Sequence, residues 1–262
     1  MRRYPEKCIC ISEWDKPSFF LPSVYASNEQ RWYADGRAET SHYLLSGRAY
    51  GNEWVTRFAQ ASVDKRYLYS FIGKSSSRVR KRLFRNHMDQ GAGGQGDFLI
   101  EASDQAVPHF TYDEDQRRRY AEILGASKYA LCPRGWGTSS VRLFEACEMS
   151  VAPVILAGRW VPVRGIDWTF AIFVGEKHVS DLDRIVRAHE AEWAERGQRA
   201  RQTFAAHFAK DRAAQSLAAA ISRLTSGVNP KLEARYRRAY PLIHLFRAAQ
   251  ERFRKWFPAY QP

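Results

Sequence analysis

Short apolar runs alternate along this 262-residue chain with longer stretches in which apolar residues recur every three or four positions. The short runs are typical of buried strands, and the longer stretches are typical of amphipathic helices. Strands are predicted at 8–12, 66–72, 97–101, 129–132, 152–156 and 170–174, and helices at 78–88, 113–124, from Val141 onward, and at 181–208 with Gly197 permitting a break. Because strands and helices alternate, the pattern predicts an α/β fold with a parallel sheet.

The segment 128–156 carries the strongest functional signal, since a strand, a glycine-bearing loop, a helix and a second strand follow one another in it. The loop reads PRGWGTSS from 133 to 140 and includes Arg134, Gly135, Ser139 and Ser140. Backbone N–H groups and the helix dipole converge on an anion in such a loop, so a phosphate-bearing ligand is expected here. The alternative is a tight turn in which one serine caps the helix.

Two charged residues of the following helix, Arg142 and Glu145, lie three positions apart and therefore share one face. They form either a surface ion pair or part of a ligand site. A capping box needs its carboxylate three residues after the capping hydroxyl, and Glu145 falls too late for Ser139 or Ser140. Glu145 is therefore available to accept hydrogen bonds from a ribose, with Arg142 as a cation beside the loop.

A second strand end repeats this pattern at Gly73 and Lys74, before a basic helix that begins at Arg78. Ser77, or a serine beside it, can cap that helix. Ligands of parallel sheets gather at the carboxyl ends of strands, so both loops are expected to face one ligand. Taken alone, Gly73 and Lys74 would be an ordinary turn with a solvated lysine, and Arg78 either helps to neutralise a diphosphate or faces solvent.

Three strings, CPRGWGTSSVRLFE (132–145), APVIL (152–156) and WVPVRGIDW (160–168), resemble the donor-binding half of exostosin-like glycosyltransferases. YLYSFIGK (67–74) is similar to another strand and loop of that family, and SEWDKPSFFLPSVYAS (12–27) to an acceptor-side segment of its bacterial members. The resemblance implies a GT-B fold, in which two Rossmann-like domains face each other across a cleft. It also implies inverting transfer of a sugar from a nucleotide-sugar, which we expect to be a UDP-sugar, to a saccharide or glycolipid acceptor, with no metal and no other cofactor.

This resemblance assigns donor binding to Gly73, Lys74, Arg78, Arg134, Gly135, Ser139, Ser140, Arg142 and Glu145. It also suggests three regions along the chain. We expect a reduced acceptor-side domain at 1–64, which is too short for a full Rossmann unit, a Rossmann-like donor domain at 65–228, and a basic amphipathic helical tail at 229–262.

The base that deprotonates the acceptor is expected on the N-terminal side of the cleft, where Glu13, Asp15 and His42 are candidates. Asp15 is preferred because it follows a predicted strand, although an aspartate before Lys-Pro is also typical of a turn. Trp160 and Trp168 either stack on a sugar or base or fill the core.

The net charge of the chain excludes fewer classes of function than its motifs do. A value of +13 and a pI of about 9.8 fit a nucleic-acid binder or a protein at an anionic membrane. The stretch 231–262 holds eight Lys or Arg against two Glu, and its apolar residues recur at helical spacing. That tail helix either packs across the two domains or contacts a membrane surface. With no apolar run of about 18 residues and no signal-peptide pattern, we expect a cytoplasmic protein, or one peripheral at the inner face of the membrane.

Two other classes stay open. PRGWGTSS superficially resembles the donor loop of a sulfotransferase, although that loop normally follows the first strand of its fold. A noncatalytic nucleic-acid-binding module is supported by charge alone, and no nucleic-acid partner is expected, because no signature of such a module occurs. The four cysteines lack C-x-x-C spacing, which favours buried thiols over disulfides or zinc.

Overall fold

A computed structural model describes residues 8–13, 21–31, 33–43, 51–61, 63–87, 97–103, 113–227, 231, 233–239, 241–242, 245 and 249. Its strands are β1 (Cys10–Ser12), β2 (Ser23–Tyr25), β3 (Ala38–Thr40), β4 (Tyr67–Gly73), β5 (Phe98–Ala102), β6 (Ser127–Pro133), β7 (Ala152–Leu156) and β8 (Ile172–Phe173). Its α-helices are α1 (Glu53–Phe58), α2 (Arg78–His87), α3 (Glu114–Gly125), α4 (Val141–Glu148), α5 (Leu182–Ala188), α6 (Trp193–Thr203) and α7 (Lys210–Ser226).

The larger sheet has five parallel strands in the order β5-β4-β6-β7-β8. Every residue of β7 is buried, as expected for a parallel strand that is covered on both faces. Helices α1, α3, α4 and α6 cover the face that carries Cys132 and Ile155, and α2 and α5 cover the face that carries Leu131 and Val154. The α/β class is confirmed, and the predicted strands of this sheet are present with ends shifted by at most two residues.

The predicted helix at 181–208 is wrong as a single element, and its break does not lie at Gly197. A 3-10 turn at Glu190–Glu192 separates α5 from α6, and a π-helical turn at Phe204–Phe208 follows α6. Gly197 lies inside α6, where a Cβ atom would be 2.2 Å from the carbonyl oxygen of Ser150. Close approach of two backbones, rather than chain breaking, therefore explains this glycine.

The N-terminal region forms a separate sheet of three short parallel strands in the order β1-β2-β3. Only the first of these strands is predicted from the sequence. Strand β3 reads Ala-Glu-Thr, and its Glu39 is buried. The Glu39 carboxylate forms an ion pair with the guanidinium of Arg223, at an N–O distance of 3.0 Å. A buried carboxylate breaks the apolar pattern of a strand, so the sequence gives no signal for it.

The C-terminal part of the described chain returns to this small sheet. Ala220 and Leu224 of α7 pack against Val24 of β2. Arg37 is almost fully buried, and its guanidinium lies 2.7 Å from the carboxylate of Glu233. Most of 241–262, including Phe246, Phe253 and Trp256, lies outside the described residues. Within the described residues, no helix is both long enough and apolar enough to cross a membrane.

Candidate functional site

The loops that follow β4 and β6 lie side by side, because these two strands are neighbours and end at the same edge of the sheet. The hydroxyl of Ser77 donates a hydrogen bond to the backbone carbonyl of Arg134, 2.8 Å away. The two loops that the sequence assigned to one ligand are thus in direct contact at the carboxyl edge, where ligands of parallel sheets bind.

Arg80 holds the two loops together, and sequence reasoning did not single it out. Its guanidinium donates to the carbonyls of Pro133 and Arg134, both at 3.1 Å, and to the carbonyl of Lys74 at 3.3 Å. A Cβ atom on Gly135 would lie 3.4 Å from the same guanidinium. Because all three acceptors are backbone atoms, no residue type in the sequence points to this cation as their partner.

Arg142 of α4 reaches across to the end of β4. Its guanidinium donates to the backbone carbonyl of Ile72 and lies 4.4 Å from the ring centroid of Phe71. A Cβ atom on Gly73 would come within 2.9 Å of the Phe71 ring and 3.4 Å of Arg142. The structure therefore brings the predicted pair Gly73 and Arg142 together, and the absence of a side chain at Gly73 leaves room for the guanidinium.

Glu145 lies next to Arg142 in a buried cluster that includes Tyr120 of α3. The Tyr120 hydroxyl donates to the Glu145 carboxylate at 2.5 Å, and the Arg142 guanidinium lies 5.3 Å from the centre of the Tyr120 ring. Burial raises the pKa of Glu145, while the hydrogen bond from Tyr120 and the charge of Arg142 oppose this rise. Tyr120 is a second residue that the sequence did not indicate.

The serines at the start of α4 do not cap it with their side chains. Ser140 is the N-cap residue by its backbone angles but makes no capping hydrogen bond, so the first-turn amides of α4 lack that partner. The Ser139 hydroxyl is buried and has no hydrogen-bond partner among the described residues. The alternative in which a serine serves only as a cap is therefore not what the structure adopts.

The N-terminal region supports the same loop from the other side. Thr138 donates to the backbone carbonyl of Asn28 at 2.9 Å, and the amide of Ser139 donates to the hydroxyl of Ser27 at 3.3 Å. The indole of Trp160 donates to the carbonyl of Ala26 at 3.2 Å. Residues 26–28 thus form one wall of the site and fix the conformation of the glycine loop.

Among the other predicted donor-binding cations, Arg134 is paired with Glu176 at 2.7 Å, and both side chains are half-buried. Part of its charge is therefore already offset within the protein. Arg78 is exposed on α2, and Lys74 is half-buried at the end of β4. Within the described residues, no group of three or more His, Cys, Asp or Glu is arranged to hold a metal ion.

The candidate bases fall in different places. Asp15 lies outside the described residues, and Glu13 is half-buried just after β1. His42 is buried against Phe144 and Phe208, with ring centroids 6.1 and 5.1 Å away. Burial lowers its pKa to about 4, and its Nε2 has no hydrogen-bond partner among the described residues. His42 is therefore placed as a core residue rather than as a base that reaches an acceptor.

Two tryptophans near the site are buried and a third is exposed. Trp160 and Trp168 pack edge to face in the core, with ring centroids 5.2 Å apart, so the core alternative holds for both. Trp136 of the glycine loop is 73% exposed.

Cys132 and Cys147 are buried, and none of the four cysteines, all of them described, forms a disulfide.

Comparison with known families covers the part of the chain that holds this cluster. The Exostosin GT47 domain matches residues 50–189, more than half of the chain and all of the segment from β4 to α5. The chain belongs to this family. The resemblance seen in the sequence motifs is thereby confirmed, and the parallel α/β sheet is consistent with the GT-B-like fold that it implies.

Curated relatives in this family carry glycosyltransferase names. A ribitol-5-phosphate xylosyltransferase 1 of Danio rerio is 28% identical over 158 residues, which is 56% of this chain and 34% of the relative. A probable beta-1,4-xylosyltransferase of Arabidopsis thaliana is 36% identical over 95 residues, or 35% of this chain and 23% of the relative. A probable glucuronosyltransferase of Oryza sativa subsp. japonica is 38% identical over 82 residues, or 30% and 20%. The aligned part of this chain spans about a third or less of each of these relatives.

Proposed function

We propose that this exostosin-family protein is a glycosyltransferase that moves a sugar from a UDP-sugar to a saccharide acceptor, with inversion and without a metal ion. The observation that carries the proposal is the cluster of Arg142, Tyr120 and Glu145 beside Gly73 at the carboxyl edge of the sheet. It lies within the segment that matches the family, and the xylosyl- and glucuronosyltransferase names of the relatives support the reaction class.

The diphosphate of the donor would bind where α4 begins. The amides of Val141 and Arg142, and the hydroxyl of Ser139, which has no hydrogen-bond partner among the described residues, are hydrogen-bond donors at that point. Arg142 would supply positive charge by exchanging its contact with the Ile72 carbonyl for a phosphate oxygen. Charge-assisted hydrogen bonds of this kind are stronger than neutral ones, so the exchange favours the bound state.

The ribose of the donor would be held by Glu145. One of its carboxylate oxygens accepts from Tyr120, which fixes the orientation of the group. Two vicinal hydroxyls of a ribose suit a carboxylate acceptor at a nucleotide site of this kind. Because Glu145 lies in a site of low polarity, a hydrogen bond to it contributes more than it would at the surface.

In the transfer, the oxygen of the acceptor hydroxyl attacks the anomeric carbon of the sugar while the bond from that carbon to the diphosphate oxygen breaks. The hydroxyl proton passes to a base on the N-terminal side, for which Asp15 stays our candidate, and the nucleoside diphosphate leaves. Arg142 and the start of α4 would stabilise the negative charge that develops on the leaving group.

The test is UDP binding to a Glu145→Gln variant, measured by titration calorimetry. Glutamine carries no charge, so a neutral hydrogen bond replaces the charge-assisted one; the difference of about 1 to 1.5 kcal/mol should raise the dissociation constant roughly 5- to 13-fold. Glu148→Gln is the matched control, since Glu148 lies on the same helix and its replacement removes the same charge, but its carboxylate accepts from Thr56 at 2.8 Å and not from Tyr120. Melting temperatures of both variants exclude unfolding as the cause.

Equal UDP affinity in the parent and Glu145→Gln would remove the ribose role. Binding of adenosine 3′,5′-bisphosphate without binding of UDP would favour the sulfotransferase alternative and count against the proposed donor.

A further inference from the structure

One exposed face of α2 carries positive charge along its whole length. Arg78, Lys81, Arg82 and Arg85 are exposed and recur at helical spacing, whereas Val79 and Leu83 face the core. The helix contains no Asp or Glu. We call these four residues the α2 stripe; at 1.5 Å per residue it is roughly 10 Å long.

The charge of the α2 stripe is not neutralised by β5 or by the 3-10 turn at Glu176–Asp181, the two elements with acidic residues that pack most closely on α2; strand β4, which also packs on it, has no Asp or Glu. Glu101 of β5 pairs with Arg119, and Glu176 pairs with Arg134. Asp181 lies near His178 and Arg184. Among the described residues, no side chain of the stripe takes part in an ion pair, and Arg82 donates only to the backbone carbonyl of Glu176.

The position of the stripe connects it with the candidate site. α2 begins directly after the loop that contains Lys74, and Arg80 of the same helix is bound to the glycine loop. A ligand that extends out of the site along α2 would therefore meet the stripe. Its exposed face carries no apolar side chain, whereas helices that bind membrane surfaces pair basic residues with apolar ones.

Resting on the proposed glycosyltransferase function, we propose that the α2 stripe binds an anionic saccharide acceptor, one that carries carboxylate or phosphate groups along its chain. The acceptor end that receives the sugar lies in the candidate site, and the charged units behind it contact Lys81, Arg82 and Arg85. The stripe thereby selects a charged polymer over a neutral one of the same length.

The experiment compares the full chain with a Lys81→Gln/Arg85→Gln double variant. Oligogalacturonates serve as the anionic probe, and xylo-oligosaccharides of matched length serve as the neutral one. The matched control is Arg184→Gln/Arg212→Gln, which removes two exposed charges from α5 and α7. We expect the double variant to bind oligogalacturonate about tenfold more weakly, with a shallower dependence on salt, and the control to bind as the parent does.

Three results would overturn the inference. The parent could fail to bind oligogalacturonate, the double variant could bind it as tightly as the parent does, or the parent could bind a single-stranded DNA oligonucleotide of matched charge as tightly as it binds oligogalacturonate. The stripe would instead be a membrane contact if the parent bound vesicles of anionic lipid but no saccharide, and the double variant lost the vesicle binding. UDP titration of the same variants separates this inference from the proposed function. UDP should bind the parent and the double variant alike, and a failure of UDP to bind either would count against the donor site and not against the stripe.

Discussion

His42 should make the stability of the protein fall between pH 7 and pH 5, and replacing it by leucine should remove that fall. The imidazole is buried between aromatic rings, and burial lowers its pKa from 6.5 to about 4. The unfolded chain therefore binds a proton in this range that the folded chain does not. The contribution is fully present above pH 6.5 and is lost as the pH falls toward 4.

The size of the effect follows from these two pKa values. Their full difference corresponds to about 3 kcal/mol, of which about 2 kcal/mol should be lost between pH 7 and pH 5. Urea unfolding at both pH values, followed by tryptophan fluorescence, measures the free energy of unfolding. The His42→Leu variant should lose about 2 kcal/mol less than the parent. At pH 7 it should be about as stable, because it also removes a buried nitrogen that has no hydrogen-bond partner in the described part of the chain.

His178→Leu is the control, because His178 is about half exposed and should leave the pH dependence close to that of the parent. If His42→Leu and the parent lose the same free energy between pH 7 and pH 5, the imidazole is not buried in its neutral form and the reasoning fails. Retained turnover in His42→Leu would also remove this residue from the candidate bases.

Three further outcomes are expected. Gly197→Ala should lower the free energy of unfolding by about 1 to 3 kcal/mol, because the new methyl group would meet the Ser150 backbone. This loss is expected although alanine has the better helix propensity. Gly125→Ala is the control in the same unfolding experiment and should cost less, because the nearest neighbour of its new methyl group is the end of a flexible side chain. Glu233→Ala should lower the free energy of unfolding in urea by about 3 kcal/mol, because it removes the carboxylate that lies 2.7 Å from the buried Arg37 guanidinium; a loss under 1 kcal/mol would show that this ion pair does not hold the C-terminal part of the described chain on the small sheet. Turnover should survive EDTA, since the proposed site offsets diphosphate charge with protein cations and helix termini; activity lost on chelation and restored by manganese would refute that mechanism.

Local sequence patterns were sufficient for the main sheet. The run from Ser127 to Leu156 has an apolar strand, glycines in the loop and a helical repeat, and each signal is read from adjacent residues. The same patterns placed Gly73 and Arg142 in one site, because strand ends of a parallel sheet meet at one edge.

The partners that complete the site could not be found in this way. Arg80 binds carbonyl groups, which every residue type provides, and Tyr120 meets Glu145 across 25 positions of the sequence. Glycine has low helix propensity, so the sequence permits a break at Gly197, whereas the structure needs this glycine where α6 crosses the backbone of Ser150. In each case the deciding contact is tertiary, and a single sequence carries no record of it.

The wall that residues 26–28 contribute to the glycine loop has a consequence for the order in which the protein assembles. Thr138 and Asn28 are 110 positions apart, so during synthesis the N-terminal segment leaves the ribosome long before the loop that it must support. Contacts between such distant positions form late, because the entropy of closing a long loop is lost before they can stabilise the chain. The five-stranded sheet can therefore form while the candidate site is still incomplete. On refolding, recovery of UDP binding should lag behind recovery of helical circular dichroism.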